Sequence, residues 1–102
     1  MAERIVVLWR DIPAQVIVKQ GRKTAKRELP ARFSEAIDMA AMRAKLTGTD
    51  AYLEEWRRSA PVACGDDLEA EAQRAHDELD AAYPQERVRE LVKNLGNDAG
   101  VP

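Results

Sequence analysis

The sequence predicts an α+β fold, an N-terminal three-stranded antiparallel meander followed by four helices packed on it. Three observations carry this reading. β-branched runs fill residues 4–10 and 15–20, turn-forming residues separate them, and after Pro30 the apolar spacing changes from the strand period to the helical one.

The first strand, RIVVLWR (4–10), alternates Ile5, Val7 and Trp9 against Val6 and Leu8. Asp11–Ala14 reads as a four-residue connection, with Pro13 kept out of the ladder because it has no N–H to donate. The second strand (15–20) repeats the alternation with Val16 and Val18 against Ile17. Gly21-Arg22 punctuates, and Lys23–Leu29 follows as a polar third strand. Apolar residues on both faces require cover on both, either from helices or from a subunit or partner interface.

Beyond Pro30, Phe33, Ala36, Ile37, Ala40 and Ala44 fall on one helical face. The stretch Leu46–Thr49 stops that helix, and Thr49 or Asp50 caps a second one running to about Ser59. Pro61 and Gly65 bracket a loop. Asp66-Asp67-Leu68-Glu69 then has the form of a capping box, opening a third helix that carries Leu68, Ala72, Ala75 and Leu79 to Tyr83. Pro84 suits the first position of a fourth helix with a Val88, Leu91, Val92, Leu95 stripe ending before Gly96. Residues 1–96 are thus expected to form a single domain, with 97–102 a flexible tail.

Composition narrows the function. With 45% hydrophobic and 33% charged residues, the 102-residue chain matches neither a disordered segment nor a membrane span. One cysteine and one histidine exclude a disulfide scaffold and a closed Cys/His zinc site. The net charge of −2 excludes a generally basic nucleic-acid binder. That total conceals a split: residues 1–30 hold seven basic and three acidic side chains, for +4, and the remainder carries −6. Such asymmetry marks a polyanion- or acid-binding edge, or a strand edge solubilised by cations. Ile5–Trp9 is too short for a signal-peptide core and Cys64 has no intramolecular partner, so the cytoplasm is the expected compartment, with no membrane association.

No catalytic set emerges. His76 lies in a polar helical stretch without a nucleophile signalled beside it, and reads as a solvated helical histidine. Cys64 precedes a helix N-terminus that could lower its pKa, but no base accompanies it. The glycines Gly21, Gly48, Gly65, Gly96 and Gly100 are isolated, so no phosphate loop is formed. No enzyme, cofactor or metal is expected. The candidate partner-binding residues are Trp9, Arg10 and Asp11 at the first turn, Arg22, Lys23, Lys26 and Arg27 around the third strand, and Tyr52, Trp56 and Arg57 on the second helix. Tyr52 and Trp56 are four apart and share a helical face, and Trp, Tyr and Arg dominate interface hot spots. The competing assignment puts Trp9 and Trp56 in the core as the largest apolar side chains. It leaves Arg10, Asp11 and Arg57 as a surface ion-pair set worth under ~1 kcal/mol.

Two resemblances bear on function. Lys23–Pro30, a helix, Leu46–Asp50 and a second helix together resemble a ribbon-helix-helix repressor unit over residues 23–59. In that family the strand pairs across a dimer and reads bases in the major groove, which would put Thr24, Lys26 and Glu28 on the reading side. Arg27 among the inward residues and the preceding hairpin depart from the pattern. Separately, the stretches WRDIPAQV (Trp9–Val16) and LTGTDAYLEEWR (Leu46–Arg57) resemble a small bacterial family of conserved virulence factors, common in alphaproteobacteria, closely over residues 4–58 and loosely beyond. That label names a context rather than a chemistry. The expected function is a non-catalytic cytoplasmic accessory or adaptor protein, binding a protein partner or a second copy through its hairpin and basic strand. The alternative is a ribbon-helix-helix-like DNA-binding dimer.

Overall fold

The computed structural model describes residues 1–46 and 50–97. In chain order the elements are β1 (Ala2–Trp9), β2 (Ile12–Gln20), β3 (Lys23–Glu28), α1 (Ala31–Arg43), α2 (Asp50–Glu54), β4 (Trp56–Arg58), β5 (Val62–Cys64), α3 (Leu68–Ala82) and α4 (Gln85–Lys93). This is the α+β arrangement expected, with β1–β3 an antiparallel meander and four helices after it. The sheet is larger than the meander. Its order is β3-β2-β1-β4, with β5 also paired to β1, so the fourth row consists of two short strands end to end. Ser59 bridges the gap: its N–H donates to the Val6 carbonyl at 2.8 Å and its Oγ accepts from the Val6 N–H at 2.9 Å.

The second helix expected to reach Ser59 ends at Glu54, and Trp56–Arg58 is extended. A helix of so few residues has little stability of its own, whereas β1 offers Val7, Leu8 and Trp9 as ladder partners for Arg58, Arg57 and Trp56. The expected loop 61–65 contributes β5 in the same way. Thr49, the other proposed cap, lies outside the described residues.

The β1–β2 connection is also tighter than expected. Only Arg10 and Asp11 lie between the strands, Arg10 taking a positive φ of 54°. The register runs Val7↔Gln15, then Leu8↔Pro13, leaving Ala14 as the extra residue of a bulge. That irregularity lets a proline sit inside a strand.

Asp67 rather than Asp66 caps α3, its carboxylate accepting from the Ala70 N–H at 3.2 Å. The alanine face of α3, Ala72 and Ala75, lies on Ala2, Val16, Val18 and Ala25 of the sheet. Small side chains on the helix and β-branched ones beneath it form a thin, closed layer. Ile5 and Ile17 face one another across β1 and β2, and strand alternation turns them to the opposite face. A second cluster joins Phe33, Ile37 and Ala40 of α1 to Val88, Leu91 and Val92 of α4, and takes in Trp9, Ile12 and Leu29. Pro84 stands at the cap of α4, one residue before the position expected. Leu95 leaves the apolar stripe: it takes φ 60° and is 39% exposed. The Arg32 guanidinium fastens the start of α1 to the end of α3, donating to Asp80 Oδ1 at 2.6 Å and to the carbonyls of Asp80 and Tyr83 at 2.9 Å each. Of the tail 97–102, only Asn97 lies within the described residues. No helix among them is long and apolar enough to cross a membrane.

Candidate functional site

The ten candidate residues separate into two groups, one at the β1–β2 turn and one at the β2–β3 turn and along β3. Six of them, Trp9, Arg10, Asp11, Tyr52, Trp56 and Arg57, form one knot at the β1–β2 turn. Trp9 is fully buried and lies opposite Trp56 across the β1–β4 ladder. Its indole N–H donates to the Tyr52 carbonyl at 3.0 Å, and the Tyr52 ring lies 5.7 Å from it. Tyr52 meets Trp56 edge-on at 6.3 Å. The expected proximity of these two rings is present, although one residue is on a helix and the other on a strand.

Cations complete the knot. The Arg10 guanidinium lies 5.1 Å over the Trp9 ring, donates to the Leu95 carbonyl at 2.7 Å and reaches Glu55 at 3.4 Å. Arg57 donates to the Arg10 carbonyl and to Asp11 Oδ1, both at 2.9 Å. The Asp11 N–H in turn donates to the Gly96 carbonyl at 2.8 Å. These contacts tie the turn to β4 and to the end of α4.

The remaining four residues lie around the β2–β3 turn and β3. Arg22, Lys23 and Lys26 are exposed. Arg27 is committed elsewhere: with Ala25 it turns toward α3, where it donates to Gln73 at 3.1 Å and pairs with Glu69. Alternation puts Lys26 on the other face. β3 is an edge strand, and among the described residues none pairs with its outer side. Its inner side is taken by β2 of the same chain, over Gln15–Gln20. This intramolecular pairing, together with the short α2, departs from the ribbon-helix-helix pattern.

The two chemically reactive side chains lie on separate elements, Cys64 on β5 and His76 on α3. Desolvation, then the Glu71 carboxylate, pushes the half-buried Cys64 thiol up; Asp66 and Glu3 add to this against the opposing Arg4. The direction is opposite to the lowering expected of a cysteine before a helix N-terminus. His76 Nδ1 lies 3.0 Å from Asp77 Oδ1, and hydrogen bonds from His76 and then Gln73 hold the Asp77 carboxyl below its usual range. Among the described residues no group of three His, Cys, Asp or Glu could hold a metal ion.

One feature escaped the sequence reading. A cleft of about 300 Å³ runs between α1 and α4, lined by Ala36 and Met39 on one side and Val88 and Val92 on the other, with Arg43, Arg89 and Lys93 among its remaining walls. Its signal in the sequence was faint, since these cations are scattered among helical positions that also carry acids.

A family model described as Virulence factor matches residues 7–92. The chain belongs to this virulence factor family. The match runs from β1 into α4 and so takes in both the aromatic knot and the interhelical cleft. Membership supports a virulence-related role. No curated protein and no solved structure matches the chain. The two stretches that carry the sequence resemblance to the family meet physically, at the Trp9–Trp56 ladder pair and the Tyr52 ring. In this virulence factor the most distinctive residues are thus a packing device at the sheet end, with Trp9 sealed from solvent.

Proposed function

We propose that the protein is a non-catalytic cytoplasmic accessory protein that binds an acidic protein partner through the β2–β3 turn and the outer edge of β3. One contrast supports the reading above others. Arg4, Arg10, Arg27, Arg32, Arg57 and Arg74 each pair with a carboxylate of the same chain. Arg22, Lys23 and Lys26 form no ion pair among the described residues. These three cations lie together at the β2–β3 turn and along an open strand edge, where an incoming strand would gain main-chain hydrogen bonds and its carboxylates would gain counter-charges. Lysines also protect an edge from unselective pairing, which favours a partner of complementary charge over a chance one.

The test compares wild type with K23E/K26E in crosslinking and pull-down from the native cytoplasm, alongside sedimentation of the pure protein. Wild type should retain a partner, or self-associate, in a salt-dependent manner that the double variant loses. A strictly monomeric protein that retains nothing refutes the reading, and salt-dependent shifting of native promoter DNA would replace it with the repressor-like one.

A further inference from the structure

We infer that the α1–α4 cleft is a second, independent docking surface, one that takes an acidic amphipathic helix from a partner protein. The floor is apolar, built from Ala36, Val88 and Val92, and Met39 stands beside it half exposed. An exposed methionine at a groove adapts to varied apolar side chains, as at other helix-accepting surfaces.

Shape favours a helix. Arg32 at the start of α1 donates to the Tyr83 carbonyl just before α4, so both helices begin at the same end and run alongside one another. The lining residues on α1 extend from Arg32 to Arg43, which at 1.5 Å per residue is about 16 Å, or three turns of a docked helix. A volume of about 300 Å³ is at the small end for an enclosed ligand cavity. It suits a few aliphatic side chains entering from one face of a helix.

Charge selects the partner's polar face. Arg43, Arg89 and Lys93 line the cleft with Glu35 as its one carboxylate. Among the described residues Arg43 and Arg89 form no ion pair, and Lys93 reaches only Glu90, at 3.5 Å on the exposed helix surface. The cleft therefore presents uncompensated positive charge around an apolar floor. A second copy of this chain is a poorer occupant. Its acidic helix α3 already directs Glu69, Glu71, Glu78 and Asp80 to Arg27, Arg74, Arg4 and Arg32 of its own chain.

The experiment uses the full chain and a fluorescent peptide of about 18 residues, leucines on one helical face and glutamates on the other. Anisotropy should show saturable binding with a Kd of about 10–100 μM, weakening as salt rises. The Met39 methyl resonance should shift on titration. R43E/R89E, whose changes are at exposed positions, should keep the wild-type circular dichroism and bind at least about tenfold more weakly, as should a peptide with lysine in place of glutamate. K23E/K26E should bind as wild type does, which separates this surface from the β3 edge. No binding by about 1 mM, equal binding by R43E/R89E, or loss of binding in K23E/K26E overturns the inference. So does self-association that R43E/R89E abolishes while the peptide fails to bind.

Discussion

Gly96 is the position where a single added methyl group should do most damage for its size. Its φ is +92°, and an added Cβ would stand 2.8 Å from Cζ3 and 3.2 Å from Cε3 of Trp9, with Arg10 Cδ at 3.3 Å. Trp9 cannot retreat, being fully buried between Tyr52 and the ladder with β4. Gly21 supplies the control: its φ is also positive, at +60°, but a Cβ there meets nothing within 4 Å. Gly21→Ala should therefore carry only the backbone term, about 1 kcal/mol. Gly96→Ala carries about 1–3 kcal/mol of backbone strain together with about 1–3 kcal/mol of overpacking against a rigid ring. A loss of about 3–4 kcal/mol is expected, corresponding to a melting temperature lower by about 15 °C for a domain of this size. Urea unfolding of the three proteins measures the free-energy loss and thermal unfolding the melting temperature. If Gly96→Ala is no more than about 0.5 kcal/mol worse than Gly21→Ala, the ring is not held against this glycine, and the account of the knot fails.

Two further outcomes are expected. Trp9→Ala should destabilise by about 3–5 kcal/mol in the same assay, and Trp56→Ala, at the half-buried position beside it, by clearly less; equal losses would contradict the burial of Trp9. Cys64, its thiol pushed up by desolvation and then Glu71, should alkylate with iodoacetamide more slowly than free cysteine near neutral pH, with a midpoint above the ordinary thiol range. Because the raised group is neutral when protonated, its contribution to stability is intact below the ordinary thiol pKa and is lost as pH climbs through the folded one. Cys64→Ser should flatten that alkaline decline, and an alkylation midpoint below the ordinary value would contradict the assignment.

The parts of the fold legible in the sequence were those with a periodic signal long enough to read. Val16, Ile17 and Val18 announced a strand, and Phe33, Ala36, Ile37 and Ala40 a helix, because each pattern repeats within its own element. β4 and β5 were not legible. Three residues hold no period, and Trp56–Arg58 is extended because among the described residues Val7–Trp9 of β1 has no other partner on that side. Tyr52 and Trp56 were expected together for a helical reason and meet for a tertiary one. Charge was legible as a regional excess, but not in its allocation. Alternation sets Arg27 and Lys26 on opposite faces of β3, but only α3, some forty positions later, supplies the Glu69 and Gln73 that take up Arg27 while Lys26 stays exposed.

The divided fourth row of the sheet has a consequence for assembly. On the β1 side, the outermost strands are two segments of three residues separated by Ser59-Ala60-Pro61, and neither offers a run long enough to template a further strand. The six-residue β3 is the sheet's remaining edge. A sheet that can be extended from one side alone can be extended once. Two copies joining through β3 would use up both growing ends in a closed, two-fold pair, and a partner strand added there would end extension just as surely. The same break that makes the fourth row weak as a strand thus leaves β3, among the described residues, as the one long edge at which the sheet can take on a further strand.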